Sequence, residues 1–495
     1  MARSGHAGLK HGLSVLIAAA VALLLGTMIL GSYGGDWRPS HFDEWRSVAL
    51  AQRALDSGSL SPELPAGSPN GLARDINDRN RSLGFAALVS VWLAWAPEPI
   101  AAFKTLALLF LLLYGTGLYW LCRSLGTGPG AALLAVLTLA GLPTDTMLLG
   151  PALAVPSSLS LGLLCLALIA HTRLSVAKPG ASLALLGLLG ASSVALALIY
   201  PLSLFVFGGL VLADTMSRPK ILRTRYFRSL ATLGLAGVGL FLVRELGSDH
   251  VDRIAHLGEL FFLERRWHLV GSIVYPLGYL IAPPVLGLAA VGACLALAQP
   301  GLRWVAAFFW GTLIAIGGYH FFARGLVVPY QRLGLYLGLA TAVCTGLATQ
   351  QLFNLLKQRP LPQWVSYGLT AALGLAIVGW PRPGPPFERT TRLDRPAPAI
   401  EQVAARIAAE YSAPSTLWSA PRHAFYLEAL TGLRVSPNSI DSLLTGHPPP
   451  PLNCDDGWTL VVGPCSCPNY SLAFIQQGIP VFARRSPLPR GPATP

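Results

Sequence analysis

The 495 residues are 53% hydrophobic and only 12% charged, whereas soluble domains run near ~25% charged. That balance excludes an ordinary soluble domain and places the chain in a membrane. The net charge of +13 does not call for nucleic acid, because much of it falls in loops between apolar runs, where it sets topology and meets phospholipid.

An apolar helix of about 20 residues crosses a hydrocarbon core of about 30 Å. On that basis eleven spans are predicted, near 13–31, 100–122, 129–148, 151–171, 182–200, 202–214, 229–247, 271–298, 302–318, 327–349 and 363–380. The first follows Arg3 and Lys10 and precedes no small-x-small cleavage site, so it reads as an uncleaved anchor. The stretch 182–214 reads as two short helices broken at Tyr200-Pro201 or as one kinked span. An inside N-terminus also puts Arg123, Arg173, Lys178, the basic run 218–228, Arg303, Lys357 and Arg359 inside, as the positive-inside rule requires. That order needs two crossings within 182–214 and sends the C-terminal segment outside. Residues 82–95 are apolar but too short to span. They are predicted to lie on the outer face as an interfacial helix, with Trp92 and Trp95 at headgroup level.

The layout that follows is mainly α and polytopic. Residues 1–380 form a transmembrane domain that includes an outer loop at 32–99. Residues 381–398, rich in Pro, Arg and Gly, are a linker, and 486–495 a disordered tail. Between them, 399–485 reads as a small soluble α/β domain outside the membrane. Its helices are predicted at 400–411, 422–430 and 470–477, and its strands at 416–419, 458–462 and 481–483. Cys122, Cys165, Cys294 and Cys344 lie in or beside apolar helices and read as core residues. In the C-terminal segment, Cys454 is expected to pair with Cys465 or with Cys467, leaving one thiol over.

The densest polar stretch follows the first apolar helix: Ser40-His41-Phe42-Asp43-Glu44-Trp45-Arg46. Ser40-x-x-Asp43 is a capping-box pattern, which predicts a helix from near His41 to about Ser57, stopped by Gly58. Asp43 and Arg46 share a face, and Glu44 points about 100° away. Asp43 suits a general base taking a proton from a hydroxyl, or a carboxylate that stabilises developing positive charge. The plain alternative is that Asp43 caps the helix and pairs with Arg46.

The run HFDEWRSVALAQRALDSG after a first membrane helix resembles the opening of the GT-C superfamily of integral-membrane glycosyltransferases. Lipid A aminoarabinose transferases and protein O-mannosyltransferases belong to it. The former resemble the chain further in an Asp-Glu-x-Arg run, matched by Asp43-Glu44-Trp45-Arg46, and in a basic residue near Phe103-Lys104. The chain departs from the pattern where many relatives carry Lys-Pro before the interfacial helix, and where others carry an acid at the fourth span. Here 74–81 and Val155-Pro156-Ser157 stand in those places.

The resemblance implies transfer of a sugar from a polyprenyl-phosphate carrier to an extracytoplasmic glycan, lipid or protein acceptor, in a bacterial plasma membrane. Asp43 matches the catalytic carboxylate, with Glu44 second. Such a donor needs positive charge for its phosphate. Arg46, Arg79, Arg81, Lys104, Arg324 and Arg332 stand on the outer side for that role, snorkelling to lipid headgroups being their plain alternative. No Asp-x-Asp pair offers a metal site, so no cofactor is assigned, with a divalent cation left open. Two other functions fit the same composition: a lipid or sugar transporter, and a non-catalytic protein that keeps the GT-C fold.

Overall fold

The computed structural model describes residues 16–28, 37–39, 41–59, 83–138, 150, 153–176, 183–218, 276–322, 330–358, 368, 372–374, 376, 398–412, 415–419, 421–435, 452 and 458–485. These fall into two compact units, one drawn from 1–38, 103–267 and 273–393, the other from 39–102 and 394–495.

The first unit is helical: α1 (Leu16–Met28), α4 (Lys104–Ser124), α5 (Pro129–Leu137), α6 (Pro156–Val176), α7 (Leu183–Ile199), α8 (Pro201–Ser217), α9 (Leu277–Leu280), α10 (Pro283–Leu297), α11 (Arg303–Phe322) and α12 (Tyr330–Lys357). Four helices among the described residues, α4, α6, α11 and α12, are long and apolar enough to cross a membrane. The stretch 182–214 is two helices. Pro201 lacks the amide hydrogen that would continue α7, and it sits in the first turn of α8, where none is needed. Pro283 likewise opens α10 and separates it from the short α9.

Small residues bring the helices close. Gly117 of α4 faces Cys165 of α6, Gly162 of α6 faces Leu113 and Tyr114 of α4, and Gly292 of α10 lies against the Cys344 backbone of α12. In an apolar solvent such close packing replaces hydrophobic burial as the force between helices. Helices α6 and α8 run parallel. Ser160 pairs with Ser203, His171 with Asp214 and Ser175 with Arg218, always 43 residues apart. The pairs span about 22 Å of helix, at ~1.5 Å per residue. Parallel α6 and α8 follow naturally when α7 returns between them.

The second unit holds α2 (Phe42–Ser57), α3 (Leu83–Trp95), α13 (Pro398–Glu410), α14 (Pro421–Thr431) and strands β1 (Thr416–Ser419), β2 (Arg434–Val435), β3 (Leu460–Val462), β4 (Tyr470–Gln476) and β5 (Ile479–Arg484). The sheet order is β2-β1-β3-β5-β4. β1 is parallel to both β2 and β3, while β5 is antiparallel to β3 and β4. β1, α14 and β2 form a crossover unit. Helix α13 buries Ile400, Val403, Ala404 and Ile407, the one-face spacing of an amphipathic helix.

Residues 470–476 form a strand where a helix is expected over 470–477. Gln477 and Gly478 both take positive φ, 50° and 76°. That is the two-residue hairpin geometry that turns β4 back onto β5. Helix α3 lies on α2, with Ser90 Oγ 3.3 Å from the Ala51 carbonyl. Its Val91 and Trp95 project outward, Trp95 at 86% exposure. The Trp92 indole donates to the Pro99 carbonyl at 3.0 Å.

Candidate functional site

Helix α2 begins one residue later than the capping-box reading puts it. The N-cap is His41, whose ring Nδ1 accepts the Asp43 N–H at 3.0 Å. Ser40 lies outside the described residues. Asp43 and Glu44 sit in the first turn, where the helix dipole favours negative charge. Gly58 closes the helix in the left-handed conformation at φ 65°, as expected.

The two carboxylates differ in their surroundings. Glu44 is fully buried, at 0% exposure. The Asp43 side chain keeps 28% of its surface and lies 3.8 Å from His41 Nδ1. That nitrogen already accepts the Asp43 N–H, so it presents a lone pair to the carboxylate and the contact is not an ion pair. His41 is thus the side-chain neighbour that the described residues give Asp43. Of the two carboxylates, Asp43 is the one with exposed surface.

Further along, α2 is tied to α14. The Trp45 indole is buried and meets the Tyr426 ring edge-on at 5.7 Å. Gln52 Nε2 donates to the Ala429 carbonyl at 2.9 Å. Arg53 grips Glu428 through two parallel bonds, Nε to Oε1 and Nη2 to Oε2, the second at 2.6 Å. Both side chains are nearly enclosed, at 10% and 5% exposure. Residues 375 apart in sequence make this pair, which the sequence reading missed.

In the helical unit, Lys104 opens α4, is 3% exposed, and has its N–H bound to the Trp37 carbonyl at 2.8 Å. Arg332 stands in the first turn of α12, one turn before Tyr336, with which it interacts electrostatically. The Tyr336 hydroxyl bonds Ser203 Oγ at 2.7 Å, which bonds Ser160 Oγ at 2.8 Å, which donates to the Ser157 carbonyl at 2.8 Å. Ser157 Oγ is buried without a partner among the described residues. A guanidinium and a chain of hydroxyls thus gather at the N-terminal ends of α6, α8 and α12. The three hydroxyls are buried and satisfy one another, tying the three helices together. Of the predicted phosphate-binding residues, Arg46, Lys104 and Arg332 are described, while Arg79, Arg81 and Arg324 lie outside the described residues. Ser160, Ser203 and Tyr336 were missed; the one signal was Arg332 and Tyr336 at helical spacing.

At the opposite ends of α6 and α8, Asp214 is clamped by Arg218, with Nε donating to Oδ1 at 2.9 Å, and accepts from His171 Nε2 at 3.0 Å. All four cysteines of the helical unit are free, as is Cys465, whereas Cys467 is disulfide-bonded. Cys454 lies outside the described residues. No three His, Cys, Asp or Glu residues gather into a metal site among the described residues.

Neither protein-family models nor curated proteins match the sequence. Solved structures do. ArnT from Cupriavidus metallidurans, bound to undecaprenyl phosphate, aligns over 95% of this chain and 97% of its own, at TM-score 0.57 and 14% identity. The Archaeoglobus fulgidus oligosaccharyltransferase, tethered to an acceptor peptide with the NVT sequon, aligns over 86% of this chain at TM-score 0.50 and 12% identity. The chain has the GT-C fold. It spans 63% of the archaeal enzyme's length, whereas the likeness to ArnT runs nearly end to end. Within this GT-C fold, the carboxylates lie in the unit that carries the sheet, and Arg332, Tyr336 and Lys104 in the helical unit.

Proposed function

We propose that this GT-C chain is a glycosyltransferase that moves a sugar from a polyprenyl-phosphate carrier to an extracytoplasmic acceptor. The observation that carries the reading is the likeness to ArnT, 97% of which the chain covers and which holds undecaprenyl phosphate in its structure. In this reading Asp43 takes the proton from an acceptor hydroxyl. The freed oxygen bonds the anomeric carbon of the sugar as the bond from that carbon to the carrier phosphate breaks. The phosphate leaves with the electron pair, and the anomeric centre inverts. The departing phosphate needs positive charge beside it, for which Arg332, Arg46, Arg79, Arg81, Lys104 and Arg324 are the candidates. Glu44, fully buried in the same turn, is the second carboxylate of the proposed site.

The proposed layout keeps a multi-spanning domain over 1–380 with about eleven crossings, a linker at 381–398, an outer α/β domain at 399–485 and a tail at 486–495. The N-terminus is cytoplasmic and the membrane a bacterial plasma membrane. The disulfide at Cys467 supports an outer location, since such bonds persist in oxidising compartments.

Purified full-length protein given a panel of undecaprenyl-phosphate sugars tests the reading. It predicts release of undecaprenyl phosphate from at least one of them when acceptor is present. Folded protein that releases none, or that moves lipid across a liposome without releasing it, contradicts it.

A further inference from the structure

We infer that Arg53 and Glu428 are positioning residues for Asp43: the α14 helix sets the rotation of α2, and so the C-terminal segment is part of the reaction centre rather than a separate acceptor-holding module. The inference rests on the reading of Asp43 as general base.

The α2 helix is held at two places along its length. Near its start the Trp45 ring packs edge-on against Tyr426, which is itself fixed by a hydroxyl contact to His423 Nδ1 at 3.1 Å. Two turns later Gln52 and Arg53 bind the Ala429 carbonyl and the Glu428 carboxylate. Packing alone leaves a helix some freedom to roll, because apolar contacts have no direction. A two-bond guanidinium–carboxylate pair has a fixed plane and admits one orientation. Two anchors on one rigid helix therefore fix its roll.

The consequence for Asp43 follows from helix geometry. A side-chain end lies roughly 5–6 Å from the helix axis. A roll of about 20° moves it by about 2 Å, and a misplacement of about 1 Å costs on the order of 100-fold in rate. Rolling the helix leaves the separate phosphate-binding groups of the helical unit untouched. The loss should therefore fall on kcat more than on KM for the lipid donor, since of the basic candidates only Arg46 rides on α2.

The test uses full-length protein and release of undecaprenyl phosphate from an accepted undecaprenyl-phosphate sugar. Glu428→Gln and Arg53→Lys are each expected to lower kcat at least tenfold, with donor KM within about threefold of wild type. The Arg53→Met/Glu428→Leu double variant keeps the contact apolar and folded but removes its direction, and it too is expected to lose kcat at least tenfold. In an Asp43→Asn background, Glu428→Gln is expected to add no further loss, because a residue acting through Asp43 has nothing left to position. Wild-type kcat in the folded Met/Leu variant, or losses that multiply in the Asp43→Asn background, overturns the inference. An inactive Asp43→Asn beside a fully active Glu428→Gln removes this inference alone. A fully active Asp43→Asn removes the reading of function.

Discussion

Gly292 is where the packing of the helical unit makes its sharpest prediction. A methyl group there would stand 2.7 Å from the Cys344 carbonyl carbon and 3.1 Å from its Cα, and nearer still to the carbonyl oxygen. These are backbone atoms, so no side-chain rotation relieves the clash, and α10 and α12 must move apart by about an ångström or more. Replacing Gly by Ala in a helix gains about 1 kcal/mol of propensity. Overpacking costs about 1–3 kcal/mol, and the upper part of that range applies where backbone must yield. The net expectation for Gly292→Ala is a loss of roughly 1–2 kcal/mol. Gly287, one and a half turns earlier on the same helix, meets nothing within 4 Å. Gly287→Ala keeps the propensity gain and is expected to stabilise by up to about 1 kcal/mol. Thermal unfolding of the detergent-solubilised full-length protein, followed by gel filtration, compares the two. Gly292→Ala should melt several degrees below Gly287→Ala. Equal melting, or the reverse order, refutes the close crossing of α10 and α12.

Other outcomes can be checked in the same preparations. Arg53→Ala strands the enclosed Glu428 carboxylate and should cost about 3–5 kcal/mol, whereas the apolar Arg53→Met/Glu428→Leu pair should melt near wild type. Ser203→Ala breaks both bonds of a fully buried hydroxyl; a loss of about 0.6–2 kcal/mol is expected, and adding Tyr336→Phe should cost less than the two single losses together. Gly58→Ala forces a Cβ into the left-handed region and should cost about 1 kcal/mol in unfolding free energy, a value near zero arguing against that cap. If the C-terminal segment is outside, a membrane-impermeant maleimide should label Cys465 on intact cells and fail on Cys465→Ser; labelling only after permeabilisation contradicts the orientation.

Much of the fold is legible because it is written in local chemistry. Pro201 divides the 182–214 stretch, Gly58 ends α2, and Ile400, Val403, Ala404 and Ile407 repeat at helical spacing, whereas the span predicted at 271–298 is divided before Pro283. The strand at 470–476 was not legible. Seven residues are too few for periodicity to separate helix from strand, and Gln477-Gly478 lacks the Asn or Asp that usually marks this turn. At the site, the acidic pair was visible, but its division into an enclosed Glu44 and an open Asp43 depends on what packs around α2. The cap was misassigned because Ser40 is the commoner capping type, while an imidazole nitrogen at His41 does the same work. The Arg53–Glu428 pair and the Ser160–Ser203–Tyr336 chain join residues far apart in sequence, each unremarkable on its own helix.

The proposed transfer turns on the Asp43 carboxylate. General-base catalysis contributes on the order of 100- to 10,000-fold, and Asp43→Asn keeps the shape of the side chain while removing its basicity. The deciding measurement is kcat for carrier-phosphate release by wild type and Asp43→Asn, both checked for matching thermal unfolding. A drop of at least about 100-fold is predicted. An Asp43→Asn enzyme that turns over at the wild-type rate would contradict it.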